Sequence, residues 1–197
     1  MDTSFEIWSG WERLGKVTIH MPGVHNVYNC LAATAVAMEL GLKFDEVQNA
    51  LAGFSGVERR FQIKGIVNDI TVVDDYGHHP VEIKATLKAA KDGWGKRVVA
   101  VFQPHRYTRT KDLFNEFLSA FYDADVLILT DIYPAGEERM EGITSEALFQ
   151  GIKAYGQRDA TYIPDKKDVP NHLAKILKAG DMVVILGAGD IWQTGDE

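Results

Sequence analysis

The 197-residue sequence predicts an α/β fold: a Rossmann-like, mostly parallel, doubly wound sheet with one antiparallel edge strand, preceded by a hairpin and two helices. Three observations support this prediction. From residue 70 onwards, short apolar runs alternate with stretches whose apolar residues recur at helical spacing, which is the pattern of right-handed βαβ crossovers. Two of these runs end in loops crowded with charged and imidazole side chains. The composition, 46% hydrophobic and 25% charged, is typical of a globular protein.

The amino-terminal region has the alternating pattern of a β-hairpin. Strands are predicted over residues 5–8 and 16–20, and the turn region between them contains Gly10 and ends at Gly15. Pro22 then ends the second strand.

Two helices follow the hairpin. Apolar residues at helical spacing predict the first over residues 26–40, with Gly41 as the residue that ends it. Asp45 is expected to cap the second helix, with Gln48 three residues later as in a capping box, and this helix ends near Phe54.

The stretch Gly53-Phe54-Ser55-Gly56 is the predicted domain boundary, which divides the chain into residues 1–57 and 58–197. A hairpin and two helices form too small a unit to be a convincing domain. Residues 1–57 are therefore expected to be the end of a larger domain.

The second domain begins with another hairpin, in which Asn68-Asp69 joins strands over residues 61–67 and 70–74. Pro80 suits the first turn of the helix that follows, through residue 90. The remaining elements are predicted in this order: a strand over 98–102, a helix carrying Leu113 to Phe121, a strand over 126–129, a helix capped by Thr144 or Ser145, a strand at 162–163, a helix over 169–177 and a strand over 182–186.

Charge and composition exclude several classes of function. The net charge is −7 and no Lys/Arg block interleaves with aromatic residues, which argues against extended binding of nucleic acid. The chain has no apolar run long enough to insert in a membrane and no signal-peptide pattern at its start. Its single cysteine, Cys30, excludes an internal disulfide, suits a reducing cytoplasm and is expected to be a buried, inert thiol.

The first reactive loop contains Asp74, Asp75, His78 and His79. Carboxylates followed by histidines can bind a metal ion or carry out acid–base chemistry. The same residues, followed by Pro80, can equally cap the amino terminus of a helix. Adjacent histidines on one loop seldom reach the same ion, and the residue pattern alone leaves these three interpretations open.

The second reactive loop contains His105, Arg106 and Arg109. Two arginines three residues apart at the start of a helix would present two guanidinium groups on one side, an arrangement that suits a carboxylate or a phosphate. Pairing with Asp112 or Glu116 on the surface is the alternative. Because parallel strands end on the same side of a sheet, we expect both reactive loops to line one crevice.

Two further groups of polar residues are candidates for binding. Arg59-Arg60 lies beside the predicted boundary, where arginines are by themselves typical of the surface. His25, Asn26 and Asn29 begin a helix, where they are either a cap and exposed amides or hydrogen-bonding groups for a planar base. The sequence contains no G-x-x-x-x-G-K-[ST] phosphate loop.

Five segments, taken together and in order, resemble the Mur ligase family, the ATP-dependent amide-forming ligases of peptidoglycan synthesis. The resemblance is to those members that join L-alanine to UDP-N-acetylmuramate. The segments are Gly23 to Ala33, Phe54 to Gln62, Asp74-Asp75-Tyr76-Gly77-His78-His79-Pro80, Phe102 to Thr110, and Gly187-Ala188-Gly189-Asp190.

The resemblance implies a three-domain enzyme with a UDP-sugar domain, a central ATPase domain and a carboxyl-terminal Rossmann-like domain. Residues 1–57 would be the end of the central domain and residues 58–197 the carboxyl-terminal domain. We therefore expect a carboxyl-terminal fragment of a bacterial cytoplasmic ligase, inactive alone. Its partners would be ATP, L-alanine, UDP-N-acetylmuramate and the missing domains of the same protein.

The resemblance also implies roles for residues on the nucleotide side. Asn26 and Asn29 would contact adenine, Asp75 the ATP ribose, and Arg59 or Arg60 the ATP phosphates. The ligands of Mg²⁺ would lie mainly in the missing domains, so no metal ligand is assigned in this chain.

On the amino-acid side, five residues would hold alanine and the acyl phosphate: Tyr76, His78, His105, Arg106 and Arg109. The last four are the expected catalytic residues, and the two arginines would match the alanine carboxylate. His25 would contact the muramoyl end of the sugar nucleotide.

Two alternatives from other classes of function remain. One is a stand-alone metal-dependent phosphoesterase that uses the two aspartates and two histidines of the first loop. The other is a non-catalytic module that binds a nucleotide or an amino acid.

Overall fold

The structure, a computed structural model, describes residues 2–54 and 57–196. The chain divides into two compact units, Met1–Glu58 and Arg59–Glu197. Of the predicted boundary stretch, Ser55 and Gly56 lie outside the described residues. In the described parts of the chain, no helix has the length and apolar character needed to cross a membrane.

The first unit begins with the predicted hairpin. β1 (Thr3–Ser9) and β2 (Glu12–Ile19) pair antiparallel, and Gly10 supplies the left-handed backbone of the turn with a φ of 59°. The prediction that the turn region extends to Gly15 is wrong, because Gly15 lies inside β2 opposite Ile7. The register shifts beside this pair, and a mid-strand glycine is typical of such a bulge.

α1 (Val24–Glu39) follows the hairpin, and Gly41 ends it with a φ of 89°, as predicted. Its buried residue Cys30 joins a small core with apolar residues of the hairpin, including Val17. Burial raises the pKa of the Cys30 thiol, which keeps it protonated and unreactive, as expected.

α2 (Phe44–Gly53) begins earlier than the sequence analysis expects, and the prediction that Asp45 caps it is wrong. Lys43 is the cap residue, because the Glu46 carboxylate reaches back and accepts a hydrogen bond from the Lys43 N–H at 2.8 Å. Gln48, the expected partner of Asp45, instead donates to the carbonyl of Lys16 in β2 at 2.6 Å.

The second unit contains the predicted sheet, with six strands in the order β3-β4-β8-β5-β6-β7. β3 is antiparallel to β4 and all other neighbours are parallel, so the predicted fold class, with its single antiparallel edge strand, is confirmed. The strands are β3 (Gln62–Val67), β4 (Ile70–Asp75), β5 (Val98–Phe102), β6 (Val126–Leu129), β7 (Ala160–Tyr162) and β8 (Met182–Leu186).

Helices connect these strands: α3 (Pro80–Trp94), α4 (Tyr107–Asp112), α5 (Phe114–Leu118), α6 (Ser145–Tyr155) and α7 (Val169–Ile176). The single helix predicted to carry Leu113 to Phe121 is wrong. Within this segment only α5 is helical, because Leu113, with a φ of −112°, separates it from α4 and the chain turns after Leu118. Thr144 caps α6, as predicted, by accepting a hydrogen bond from the Ala147 N–H.

Alternate residues of the central strands face two separate cores. In β5, Ala100 and Phe102 pack with Phe117 on one face of the sheet, whereas Val99 and Val101 pack on the other face. Burial on both faces requires strands that are apolar throughout, which explains the unbroken runs in β5, β6 and β8.

The topology brings four loops together at one edge of the sheet. β4, β8, β5 and β6 are parallel neighbours, so their carboxyl ends, and the loops that follow them, lie side by side. The expectation that the two reactive loops share an edge is confirmed, although β4 and β5 are not direct neighbours because β8 lies between them.

Candidate functional site

The end of β4 is organised around Asp75, whose carboxylate is buried. One oxygen accepts the N–H of Phe61 at 2.7 Å and the other accepts the N–H of Gly77 at 2.7 Å. Burial raises the pKa of Asp75, and these two hydrogen bonds oppose the rise. A Cβ atom at Gly77 would lie 2.7 Å from the Asp75 carboxylate, so this close approach requires glycine. Both oxygens therefore shape the loop that follows β4.

The neighbouring carboxylate, Asp74, is also buried and forms an ion pair with Arg59, with 3.0 Å between the Arg59 Nε and a carboxylate oxygen. Arg59 also donates to the carbonyls of Gly187 at 2.6 Å and Gly189 at 3.4 Å. Arg59 thus connects the end of β4 to the glycine turn that follows β8. The expectation of a surface position is wrong for this arginine, because these internal acceptors bind its guanidinium group.

Arg60 differs sharply from Arg59. Its side chain is 50% exposed, compared with 21% for Arg59, and its Nη1 lies 3.6 Å from the Glu82 carboxylate. Arg59 and Phe61, on either side of it, have positive φ angles of 58° and 48°, which non-glycine residues rarely adopt. The two adjacent arginines therefore lie in different environments, on a segment whose backbone includes these two positive φ angles.

His79 is the cap of α3. Its Nδ1 accepts the N–H of Val81 at 3.3 Å, and the Glu82 carboxylate accepts the N–H groups of both His78 and His79 at 3.1 Å. The capping interpretation of this part of the loop is thereby confirmed. His78 is left with its ring near Tyr76, whose ring meets it edge-on at 5.3 Å.

The geometry does not support the metal interpretation of this loop. Asp75 and Asp74 accept hydrogen bonds from the backbone and from Arg59, and His79 accepts one from Val81. Within residues 2–54 and 57–196, no three side chains of the His, Cys, Asp or Glu type are grouped so that they could hold a metal ion.

The loop after β5 brings His105 next to this site. The His105 ring lies 5.8 Å from the His78 ring, centroid to centroid, and stacks on Tyr133 at 5.6 Å. Arg109 turns back on it, with 3.0 Å between its Nη1 and the His105 Nδ1. Burial, followed by the charges of Arg109, His78 and Arg106, lowers the pKa of His105 to about 4, and the Glu137 carboxylate partly opposes this.

Arg106 is exposed and has an unusual backbone, with φ 72° and ψ 141° at the start of α4. Its guanidinium group has no hydrogen bond or ion pair with the part of the chain that the structure describes. Neither Arg106 nor Arg109 pairs with Asp112 or Glu116 among these residues. Of the two groups expected to bind one carboxylate, Arg109 contacts His105 and Arg106 remains available.

The sequence analysis missed residues after β6. Tyr133 stacks on His105, and Glu137 accepts hydrogen bonds from the N–H and the hydroxyl of Thr108 at the start of α4. The signal was present, because β6 was predicted and parallel strands end at one edge. A cavity of about 400 Å³ opens beside Tyr133, lined also by Gln103, Asp131, Lys166 and Asp190.

The remaining candidates lie in the first unit, at the start of α1. The Asn26 amide donates to the Pro22 carbonyl at 2.8 Å, and the Asn29 amide donates to the Asn26 side chain at 3.4 Å. Asn29 is exposed, whereas His25 and Asn26 are partly buried. Their contacts with adenine and with the muramoyl group remain predictions.

Comparison with known proteins identifies the family. Residues 59–189 match the family model described as "Mur ligase, glutamate ligase domain". Two curated proteins named UDP-N-acetylmuramate–L-alanine ligase, from Geotalea uraniireducens and Geotalea daltonii, are 61% and 59% identical over 98% and 99% of the chain. The chain spans 42% and 43% of their lengths.

A solved structure agrees with this assignment. The UDP-N-acetylmuramate–alanine ligase of Thermotoga maritima superposes with a TM-score of 0.79 at 28% identity, covering 99% of this chain and 41% of its own. The family model, the curated relatives and the solved structure agree with the ordered sequence motifs. The chain therefore belongs to the Mur ligase family.

Proposed function

We propose that the chain is the carboxyl-terminal part of an ATP-dependent ligase that joins L-alanine to UDP-N-acetylmuramate in the bacterial cytoplasm. The observation that carries the proposal is the cluster of His78, His105 and the exposed Arg106 at the sheet edge, in a chain 61% identical to a ligase of that name. In this reaction ATP converts the lactyl carboxylate to an acyl phosphate, the alanine amine attacks it, and phosphate leaves.

Charge stabilisation is the contribution that the second unit is suited to make. The reaction develops negative charge on the acyl oxygen and the phosphate, and fixed hydrogen-bond donors beside such charge lower the barrier. Arg106, which is exposed and unpaired among the described residues, would bind the alanine carboxylate. Tyr76 and Arg109, each next to one of the two histidines, would border the same substrate.

On the nucleotide side, the geometry favours Arg60 over Arg59 as the ligand of the ATP phosphates. Arg59 donates to Asp74, Gly187 and Gly189, whereas Arg60 is half exposed. Asp75 would contact the ribose only by sharing an oxygen that already accepts a backbone N–H. Asn26 and Asn29 would contact adenine, and His25 the muramoyl group.

Mg²⁺ would accompany ATP in this reaction, and its ligands are not expected in this chain. The two buried carboxylates at the end of β4 are already hydrogen-bonded, and the described residues offer no group of three metal ligands.

The first unit would be the end of the central ATPase domain. Large apolar side chains of the hairpin and α1 are exposed, including Trp11, which is fully exposed, Tyr28 and Leu40. Exposed apolar side chains of this size are typical of a surface that another part of a protein covers.

A hybrid enzyme tests the proposal. The chain replaces the segment that it matches in the Geotalea uraniireducens ligase, and phosphate release from ATP is measured with and without L-alanine and UDP-N-acetylmuramate. We expect release that requires both substrates. A hybrid that melts cooperatively but does not ligate would contradict the proposal.

Arg106→Ala in this hybrid tests the carboxylate role. We expect kcat/KM for L-alanine to fall about 10- to 100-fold, since a hydrogen bond to a charged group is worth ~1.5–3 kcal/mol. Arg158→Ala is the matched control and should leave kcat/KM unchanged. Arg158 is an exposed arginine that precedes β7, so it lies near the amino-terminal ends of the strands, away from the site at their carboxyl ends. Equal effects of the two substitutions would show that Arg106 does not bind the alanine carboxylate.

The isolated chain provides a further test. It contains no phosphate loop, so we expect no ATP-dependent ligation from it alone. Ligation by the purified chain would contradict the assignment of ATP handling to another part of the enzyme.

A further inference from the structure

The hydrogen bonds of His78 define where its ring proton lies. Its Nδ1 is 3.0 Å from the carbonyl oxygen of Tyr76, and the Glu82 carboxylate lies 3.7 Å from the same nitrogen. Both groups can only accept a hydrogen bond, so Nδ1 must carry the proton. In the neutral ring, Nε2 is then the atom with the free lone pair.

The hydrogen bonds of His105 place its ring proton on the other nitrogen, Nε2. Its Nδ1 is 3.0 Å from Nη1 of Arg109, which also donates to the His105 carbonyl at 3.1 Å. A guanidinium group has donors and no acceptor, so the His105 Nδ1 must accept and the ring proton must lie on Nε2. Stacking on Tyr133 holds the plane of this ring.

We propose that His78 and His105 form a pair of histidines whose neutral forms have opposite tautomers, in which His78 is the general base for the amino-acid substrate and His105 is a hydrogen-bond donor to the acyl oxygen. Arg109 is then a positioning residue, which sets the tautomer of His105. This inference rests on the proposed function for the identity of the substrate. The ring centroids are 5.8 Å apart, so one small substrate can touch both rings, and neither Nε2 has a hydrogen-bond partner among the described residues.

The chemistry of the proposed step balances. An N–H bond of the alanine ammonium breaks and its proton passes to Nε2 of His78, while the electron pair stays on nitrogen. The amine attacks the acyl carbon, a C–N bond forms, and the carbonyl π pair moves to oxygen. His105 donates its Nε2–H hydrogen bond to that oxyanion and keeps the proton.

The intermediate then collapses. The pair on oxygen re-forms the carbonyl, the C–O bond to phosphate breaks, and the leaving phosphate takes the second proton from nitrogen. His78 returns its proton to water. Two protons thus leave the ammonium, one through His78 and one on phosphate.

The surrounding charges agree with these two roles. Burial and the charges of Arg109 and Arg106 disfavour protonation of His105, as does His78 when it carries a proton, whereas Glu137 favours it. The pKa of about 4 keeps His105 neutral at neutral pH. His78 faces the Glu82 carboxylate, which lies 3.7 Å from its Nδ1, on the side of the ring away from the proposed proton-accepting Nε2.

Nuclear magnetic resonance of the 197-residue chain tests the tautomers without any assay of activity. With ¹⁵N-labelled histidine at neutral pH, long-range ¹H–¹⁵N correlations identify the protonated nitrogen of each ring, and His78→Gln and His105→Gln assign the signals. We expect Nδ1–H for His78 and Nε2–H for His105. The reverse tautomer at either residue would overturn the inference.

Arg109 variants test the positioning role. Arg109→Met removes the donor and the charge, so we expect the pKa of His105 to rise above about 4 and its tautomer to become mixed, with His78 unchanged. Arg109→Lys retains charge and donors and should restore most of the wild-type behaviour. An unchanged His105 spectrum in Arg109→Met would show that Arg109 does not set the tautomer.

Substitutions in the hybrid enzyme test the roles. His78→Gln should lower kcat with L-alanine about 100-fold, the usual contribution of a general base. With hydroxylamine, an acceptor that is largely unprotonated at neutral pH, the loss should be below about 10-fold because no base is needed. Equal losses with both acceptors would exclude the base role.

The amide substitutions at His105 discriminate between the two ring nitrogens. His105→Gln can place an N–H donor where Nε2 lies, whereas His105→Asn cannot reach that position. We expect kcat to be at least about 10-fold lower in His105→Asn than in His105→Gln, within the range that loss of an oxyanion donor costs. The opposite ranking would exclude Nε2–H as the donor. An inactive wild-type hybrid would contradict the proposed function, while the spectra would still decide the tautomers.

Discussion

The loops after β4 and β5 carry similar types of side chain and use them in different ways. At the end of β4 and in the loop that follows it, Asp74, Asp75 and His79 accept hydrogen bonds from Arg59 or from the backbone. In the loop after β5, Arg106 is exposed on a strained backbone. The reactive residues at the carboxyl ends of the strands are therefore of two kinds. Some hydrogen-bond to the protein and stabilise the loops, and others remain available to a ligand.

Arg59→Ala is the strongest test of this division. We expect the free energy of unfolding to fall by about 3–5 kcal/mol, because the buried Asp74 carboxylate loses its partner. Urea denaturation of the chain measures this. Arg60→Ala is the control and should change stability by less than about 0.5 kcal/mol, since a half-exposed ion pair contributes little. Similar losses from the two substitutions would show that Arg59 is no more structural than its neighbour.

Asp75→Ala should be the next largest effect. It leaves the N–H groups of Phe61 and Gly77 without an acceptor, and each such buried donor costs ~1–3 kcal/mol, so we expect a loss of about 2–4 kcal/mol. Asp75→Asn retains one acceptor oxygen and should lose about half as much. Thermal and urea unfolding compare the two variants. A stable Asp75→Ala protein would contradict the architectural role of this carboxylate.

Gly189→Ala tests how the turn after β8 supports the loop after β5. A Cβ atom there would lie 2.7 Å from the Tyr133 ring and would contact the Gln103 side chain. We expect a loss of about 1–3 kcal/mol, typical of overpacking, together with a shift in the His105 resonances as Tyr133 moves. Gly65→Ala, where a Cβ meets nothing within 4 Å, is the control. Unchanged His105 resonances in Gly189→Ala would show that the added methyl group does not disturb the stacking of Tyr133 on His105.

Arg106→Gly has the smallest expected effect on the free energy of unfolding. Unlike the three preceding substitutions, it should stabilise the protein. The Arg106 φ of 72° with ψ 141° is a conformation that glycine adopts readily, so relief of strain should exceed the added entropy of the unfolded chain and stabilise the protein by about 1 kcal/mol. Lys111→Gly, in the helical backbone of α4, should instead destabilise it by about 1 kcal/mol. A loss of stability in Arg106→Gly would show that the backbone there is not strained.

Much of the fold follows from two features of the sequence. One is the periodicity of its apolar residues, and the other is the rule that neighbouring parallel strands end on the same side of a sheet. Runs such as Val98 to Phe102 are apolar because both faces are buried, and this burial is visible in the sequence. Contacts between distant residues were not predictable. The position of β8 between β4 and β5, and the contacts of Arg59 with Gly187 and Gly189, depend on tertiary packing that no local pattern encodes.

The candidate site divides in the same way. Its residues in the two reactive loops were identified from their types and from the ends of their strands. Tyr133 and Glu137 were missed because neither belongs to a reactive motif, and both act by packing or hydrogen bonding against a loop distant in sequence. The different environments of Arg59 and Arg60 depend on positive φ angles, which the residue types do not suggest.

The central position of β8 has a consequence for biosynthesis. β8 comes last in sequence among the strands of the described residues, yet Thr71 of β4 and Val98 of β5 both pair with its first residue, Met182. A nascent chain therefore cannot close this sheet until β8 has left the ribosome, and such distant pairings slow folding. Until then the edges of β4 and β5 are open to aggregation or chaperones, so a premature stop before Met182 removes the centre of the sheet.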